Sequence, residues 1–122
     1  METTTQDRLE NTKAQMRKGI LELCVLSIIN EQEAYPSDII AQLKEHQLIV
    51  VEGTLYPLLN RLKKSGLRHY NGKEPAASEN GNGRPRKYYQ LTDAGEIFLA
   101  ELLNTWNLLA SAVYQTTKNN NQ

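Results

Sequence analysis

Residues 52–62 read EGTLYPLLNRL, and their four leucines recur at the three- and four-residue spacing of an amphipathic helix. On an ideal helix these leucines fall within one arc of about 100° and form a single apolar stripe. Gly66 predicts the helix end, because glycine readily takes the left-handed conformation found after helices. Pro57 is tolerated only near a helix start, so we expect a helix over residues 52–65 that begins close to Val51–Gly53.

The opposite side of this predicted helix carries polar and basic side chains instead of leucines. Arginine and asparagine can contact guanine and adenine edges, and lysine, threonine and tyrosine can hold phosphates. The pattern predicts a DNA-reading helix, but the solvated face of an ordinary amphipathic helix has a similar composition. The side chains predicted to contact DNA from this helix are Thr54, Tyr56, Asn60, Arg61, Lys63 and Lys64.

Two short strands are predicted downstream, over residues 67–70 and 86–91. Between them lie three Asn-Gly pairs, which favour turns and predict a long hairpin tip. Basic side chains on such a tip can follow a DNA backbone or enter the minor groove, or they can simply protect an exposed strand edge. The residues predicted to contact DNA from this hairpin are Arg84, Arg86, Lys87 and Tyr88.

Two helices are predicted before the leucine-rich segment. Residues 16–30 have almost no polar face, which predicts a helix buried nearly all round. Residues 36–46 form the second predicted helix, because Pro36 suits a first helical position and Ile39, Ile40 and Leu43 follow at helical spacing.

One long final helix is predicted over residues 92–116, with Thr92 as its N-cap. It carries two apolar stripes, which predict a surface that a second copy of the chain covers, and a two-fold dimer is the simplest such assembly. A dimer would also place two reading helices about 34 Å apart, matching a palindromic site on DNA. The residues assigned to the dimer interface, or to a ligand pocket within it, are Leu99, Leu102, Leu103, Trp106, Leu109, Ala110 and Val113.

These elements predict a mainly helical protein with a small β-hairpin. Its core is a winged helix-turn-helix DNA-binding domain over residues 16–91, followed by a dimerisation helix over residues 92–116. Residues 1–15 are expected to form a polar N-terminal extension. A helix is one alternative there, because residues 7–16 lack glycine and proline, but the thin apolar face predicts fraying or order only through a partner. Residues 117–122 are expected to form a disordered tail.

Charge is strongly segregated along the chain, although 14 basic and 14 acidic residues give no net charge. Residues 61–88 contain eight basic and two acidic residues, whereas residues 1–60 contain five basic and nine acidic residues. Because a polyanion responds to local potential, this segment favours contact with nucleic acid. An ordinary solvated surface is the alternative.

Other classes of function find little support in the sequence. The single cysteine, Cys24, lies in an apolar run, and neither His46 nor His69 stands in a metal-binding or catalytic motif. We therefore expect no enzymatic activity, no metal and no cofactor. The N-terminus does not resemble a signal peptide, and the apolar run of residues 20–29 is too short to span a bilayer, so a cytoplasmic protein is expected.

Two of these segments resemble the PadR family of winged-helix transcriptional regulators. Glu52–Leu62 is similar to that family's recognition-helix signature, and Arg86–Gly95 (RKYYQLTDAG) to its second-strand signature. Gly19–Leu26 resembles the buried first helix of the family. A single long helix after the wing is similar to the family's short subclass, and the resemblance covers roughly residues 16–100.

The resemblance implies a homodimer joined largely by the final helices and a transcriptional repressor, relieved in some members by small aromatic or cationic ligands. It also implies DNA contacts by Tyr56, Asn60, Arg61 and Lys63 and by the wing. Two positions depart from the family pattern. Pro36-Ser37 replaces a Gly-Tyr pair, with Tyr35 as a substitute for the lost aromatic ring, and Arg68 replaces an apolar residue, which leaves the packing and register of the first strand open.

Two alternatives stay open at this point. Trp106 either lines an interface pocket, where two rings sandwich a flat aromatic ligand, or simply packs against the partner subunit. Some winged helices serve as protein adaptors without binding DNA, and such an adaptor would expose apolar anchors on the third helix.

Overall fold

The computed structural model describes residues 4–31, 34–71 and 88–120. It is mainly helical with one two-stranded antiparallel sheet, which confirms the predicted fold class. The elements are α1 (Thr5–Glu31), α2 (Pro36–Glu45), α3 (Glu52–Lys64), β1 (Arg68–Asn71), β2 (Tyr88–Leu91) and α4 (Asp93–Thr117), with a 3₁₀ helix at Lys118–Asn120.

Helix α1 is continuous over 27 residues, so the polar N-terminal segment is helical from Thr5. The Thr4 hydroxyl caps it by accepting a hydrogen bond from the Asp7 backbone N–H at 3.0 Å. Residues 4–19 are exposed, and burial begins only at Ile20. The boundary predicted between residues 15 and 16 therefore lies inside one helix, and burial changes four residues later, at Ile20. The apolar half supplies five buried residues to the core, while Cys24 stays half-buried.

Helix α2 begins as predicted with Pro36 at its first position. The Asp38 carboxylate accepts a hydrogen bond from the Tyr35 backbone N–H at 3.0 Å, and Tyr35 is the N-cap. Ile39 and Leu43 are buried, which fixes α2 against α1 and α3. The helix thus starts normally although the sequence departs from the family pattern at residues 36 and 37.

Helix α3 has the predicted start and end. Val51 is the N-cap, and Gly66 lies in the left-handed region with φ of 73°. The Gly66 N–H bonds to the Lys63 carbonyl at 2.9 Å and the Leu67 N–H to the Leu62 carbonyl at 2.9 Å, the Schellman arrangement. Pro57 is the sixth helical residue, and because proline has no N–H, the backbone carbonyl four residues before it lacks a helical donor. The helix tolerates Pro57 because this side of α3 is exposed and water can bond that carbonyl.

Strands β1 and β2 pair antiparallel, with Arg68 opposite Leu91 and Asn71 opposite Tyr88. Ala34 adds an isolated bridge to Tyr89. The Tyr89 N–H donates to the Ala34 carbonyl at 2.9 Å, so the segment before α2 is tied to β2. This pairing settles the register that the Arg68 substitution left open.

Helix α4 begins as predicted at the Thr92 N-cap, whose hydroxyl accepts from the Gly95 N–H at 3.0 Å. The same hydroxyl donates to the Gly66 carbonyl at 2.7 Å, so it joins the start of α4 to the end of α3. The helix runs to Thr117 and continues as a 3₁₀ turn over Lys118–Asn120. The predicted disordered tail is therefore wrong for residues 117–120, where the backbone is helical.

Replacing Thr92 by alanine is expected to lower the free energy of unfolding by about 1–2 kcal/mol. The change removes the cap of α4 and leaves the Gly66 carbonyl without its hydroxyl donor. Urea denaturation followed by circular dichroism measures the effect. Thr92→Ser keeps the hydroxyl and is the matched control, so a serine variant as unstable as the alanine variant would contradict this assignment.

Candidate DNA-binding surface

The outer face of α3 is formed by the side chains predicted to read DNA. The four leucines of the helix are each at most 2% exposed, so they are anchored in the core. Rotation about the helix then turns the remaining positions outward. Among them, Tyr56 is 43% exposed. The exposed residues of this face are Thr54, Tyr56, Asn60, Arg61, Lys63 and Lys64.

The C-terminal turn of α3 concentrates positive charge. Arg61, Lys63 and Lys64 all lie in it, and the acidic residue of the helix, Glu52, stands at the opposite end. Cations at a helix C-terminus interact favourably with the helix dipole, so the dipole alone accounts for part of this arrangement. Within the described ranges, neither Arg61 nor Lys64 forms an ion pair, and both remain available to a polyanion.

Tertiary contacts hold α3 in place along its leucine face and at its C-terminal end. Ile39 and Leu43 of α2 share the core with its leucines, and the Schellman turn leads directly into β1. Arg68, at the start of β1, is 4% exposed, and its Nε donates to the Leu59 carbonyl at 2.7 Å. The sequence left the packing of the first strand at Arg68 open, and the structure buries this side chain against α3.

The wing is described only at its root. Tyr88 opens β2 opposite Asn71, and Tyr89 is buried at 5% exposure. Arg84, Arg86 and Lys87 lie outside the described residues, so their DNA contacts stay predictions. Three residues separate the end of α3 from β1, so the described root of the wing starts beside the C-terminal turn of α3.

Helix α4 presents a long apolar surface. Leu103, Trp106, Leu109 and Val113 are between 41% and 61% exposed, while Leu102 and Ala110 are half-buried. The assignment of Leu99 to the interface is wrong, because Leu99 is 4% exposed and packs in the core of its own subunit. The residues assigned to the interface did not include four further exposed apolar residues of α4, of which Phe98 belongs to one of the predicted stripes: Ile97, Phe98, Leu108 and Tyr114.

The apolar face of α4 is covered in its first part and uncovered afterwards. Gly95, Leu99 and Leu102 lie on this face and pack on the body of the subunit. On a regular helix, Trp106 and Val113 lie on the same face, but they are exposed. By length and composition alone, the helical residues Asp93–Asn120 would also suffice to cross a membrane. The continuity with the core instead favours a protein partner.

A groove of about 520 Å³ opens beside the reading helix. Leu21 of α1, Val50 of the connector and Pro57 of α3 line it, together with Thr54 and Arg61 from the candidate DNA surface. Its walls come from segments far apart in the chain, so no pattern in the linear sequence signals it. Whatever occupies the groove lies against one flank of α3.

Metal-ligating side chains do not cluster within the described ranges. No group of three His, Cys, Asp or Glu side chains within residues 4–31, 34–71 and 88–120 is placed to hold a metal ion. Burial raises the pKa of the Cys24 thiol, so the thiol stays protonated near neutral pH and is a weak nucleophile.

Comparison with known proteins agrees with this geometry. Residues 25–101 match the transcriptional regulator PadR-like family. A PadR-like transcription factor from Bacteroides fragilis is 51% identical, with a TM-score of 0.71 over 87% of this chain and 98% of that one. A PadR-like transcriptional regulator from Bacillus cereus is 36% identical, with a TM-score of 0.72 over 84% and 95% of the two chains. A PadR family regulator from Eggerthella lenta is 31% identical, with a TM-score of 0.72 over 94% and 93%.

The family match spans more than half of the chain, and it contains the C-terminal part of α1 from Val25, all of α2 and α3, the strands and the start of α4. The family consists of transcriptional regulators, which act by binding DNA and are not enzymes. The exposed polar face of α3 and the root of the wing are the parts of this chain suited to that activity. The chain belongs to the PadR-like family of transcriptional regulators.

Proposed function

We propose that the protein is a cytoplasmic repressor that binds a palindromic operator as a homodimer. The observation that carries this proposal is the orientation of α3. Its leucines are at most 2% exposed, while Asn60, Arg61 and Lys64 on the other side face solvent. A helix held in this way can enter a major groove without any rearrangement of the core.

Each exposed side chain of α3 has a distinct task in the proposed complex. Arg61 and Asn60 have the bidentate geometry to read guanine and adenine edges. Lys63, Lys64, Thr54 and Tyr56 hold phosphates and fix the register of the helix on the duplex. The basic wing residues Arg84, Arg86 and Lys87 add phosphate or minor-groove contacts. A polar face of this kind argues against a protein adaptor, which would need apolar anchors here.

The dimer in this proposal forms through α4. Its apolar face continues past the body of the subunit, with Trp106 42% and Leu109 56% exposed. Monomeric proteins rarely expose a contiguous apolar surface of this kind. The exposed first half of α1 also carries Leu9 and Met16, which offer the partner further apolar contacts. A two-fold arrangement of these helices presents two copies of α3 to successive turns of one duplex.

The remaining part of the proposal is that a small ligand bound at Trp106 relieves repression. Its half-exposed indole would face the partner's indole across a two-fold axis, and a flat aromatic molecule could stack between the two rings. A ligand bound there would change the spacing of the two reading helices and so relieve repression. Packing without a ligand is the simpler use of the same side chain.

The proposal is tested by selecting bound fragments from a random duplex library and titrating the recovered duplex with salt. An inverted repeat with half-sites one helical turn apart is the expected product. The logarithm of the binding constant should fall linearly with the logarithm of salt concentration, since phosphate contacts release counterions. Recovery of no common sequence would contradict specific recognition, and recovery of a single unrepeated site would contradict the dimer.

Arg61→Ala is expected to weaken binding to the recovered duplex by about 1–3 kcal/mol and to relax base preference at one position in each half-site. Lys64→Ala should instead weaken binding to every duplex similarly and reduce the salt slope by about one unit. Fluorescence anisotropy with labelled duplexes measures both effects. Lys118→Ala removes an equal charge at the far end of α4 and is the control. A loss equal to that of Arg61→Ala in this control would show that only net charge matters.

A further inference from the structure

Arg68 lies at the junction between the reading helix and the sheet. Its side chain is 4% exposed, and its Nε donates a 2.7 Å hydrogen bond to the carbonyl oxygen of Leu59 in α3. Its guanidinium carbon stands 4.5 Å from the centroid of the Tyr89 ring in β2. One side chain therefore contacts α3 and β2 while its own backbone belongs to β1.

The groups that Arg68 contacts are themselves immobilised. Leu59 is 1% exposed in the leucine stripe of α3. Tyr89 is 5% exposed, and its backbone is bonded to Ala34 and paired with Tyr70 of β1. Arg68 itself pairs with Leu91. The guanidinium thus connects α3 and β2, each of which is held in place by its own packing and hydrogen bonds.

An arginine that only filled space at this buried position would be energetically unfavourable. Removing a guanidinium from water carries a large desolvation penalty, and an apolar side chain of similar volume usually fills such a site as well or better. An arginine differs in geometry: its planar group has donors in fixed directions and a face that stacks on aromatic rings. The bond to Leu59 and the stacking on Tyr89 together fix both distance and angle, which a leucine in this place would not do.

We propose that Arg68 is a positioning residue for DNA recognition, which sets the angle between α3 and the β1–β2 pair. This inference rests on the proposed DNA binding. Two surfaces bind one duplex tightly at the same time when their relative orientation is already fixed in the free protein. If the angle between them varied, binding would have to restrict it, and the lost conformational entropy would weaken the affinity. Arg68 contributes this order from inside the subunit and does not itself touch DNA.

The first test uses the free protein, so that it does not depend on DNA binding. Residual dipolar couplings of backbone amides give the orientation of α3 relative to β1 and β2 in the wild type, in Arg68→Met and in Arg68→Lys. We expect Arg68→Met to change or average this orientation, because methionine fills the space but makes neither directed contact. Arg68→Lys keeps the charge but loses the planar group and its fixed donor directions, so it should restore this orientation only in part.

The second test compares affinity for the inverted-repeat duplex recovered by selection with affinity for a scrambled duplex. Arg68→Met should lower the ratio of the two affinities about tenfold, as expected when a base-reading group is misaligned. Ile28→Val, a core change in α1 remote from DNA, is the control for lost stability. The Ile28→Val protein should show the dipolar couplings and the affinity ratio of the wild type, even if it melts at as low a temperature as the Arg68→Met protein.

The outcomes separate this inference from the proposed function. If the wild type discriminates between the duplexes and Arg68→Met discriminates equally well, with unchanged couplings, the inference is wrong and the proposed function stands. If Arg68→Met and Ile28→Val lose discrimination to the same extent, Arg68 only stabilises the fold. If the wild type fails to discriminate between the duplexes, the proposed function fails and the inference fails with it, whatever the couplings show.

Discussion

Replacing Gly95 by alanine is expected to destabilise the protein by about 2–4 kcal/mol. A Cβ at this position would overlap the carbonyl oxygen of Leu67 and lie 3.2 Å from Cδ2 of Leu91. That carbonyl is not free to move, because it accepts a 3.1 Å hydrogen bond from the Thr92 N–H. The first turn of α4 must therefore shift away from the end of α3, and the loss exceeds the gain of about 1 kcal/mol that alanine brings to a helix interior.

Gly19→Ala is the matched control for this prediction. Gly19 lies within α1, and a Cβ there has nothing within 4 Å. Alanine at this site should stabilise the protein by about 0.5–1 kcal/mol through helix propensity. Urea denaturation measures the free energy of unfolding of both variants, and its dependence on urea concentration is compared with that of the wild type. Equal effects of the two substitutions would show that α4 does not approach the α3–β1 turn as closely as the structure has it.

Replacing Trp106 by glutamate is expected to convert the proposed dimer into monomers and to weaken operator binding at least about 100-fold. Each dimer would bury two unpaired carboxylates at the centre of an apolar contact, and an isolated charge in such a place costs several kcal/mol. A monomer contacts one half-site and loses the advantage of two linked reading helices. Sedimentation equilibrium gives the oligomeric state, and anisotropy gives the affinity.

Asn104→Glu controls for the added charge in this experiment. Asn104 is exposed on α4 and, on a regular helix, points about 160° away from Trp106. The protein with this substitution should remain dimeric and bind the recovered duplex normally. A dimer that persists in Trp106→Glu would remove Trp106 from the interface and, with it, the basis for a ligand between two indoles.

Local sequence patterns determined the elements of this fold. The leucine spacing of residues 55–62 predicted both the existence of α3 and the side that faces the core. Gly66 predicted the left-handed residue after it, and Thr92 the cap of α4. These predictions succeed because each depends on interactions within a few residues of chain, where helix periodicity and backbone preferences dominate.

Predictions about burial along a long helix were less accurate. The apolar stripe that includes Leu99 was assigned to the dimer interface, but Leu99 lies inside the subunit. Residues 1–15 were expected to fray or to be ordered only through a partner, yet α1 is helical from Thr5. Periodicity tells which positions of a helix share a face, but it does not tell where along that face the rest of the subunit ends.

The sequence by itself determined the order of the helices, the Thr92 cap, the outward face of α3 and the resemblance to a family of regulators. Tertiary structure decided what Arg68 does, how closely Gly95 approaches Leu67, and where the apolar face of α4 emerges from the core. The physical reason is the range of the interactions involved. Helix periodicity and capping act between residues a few positions apart, whereas Arg68, Leu59 and Tyr89 meet only after folding has brought three separate elements together.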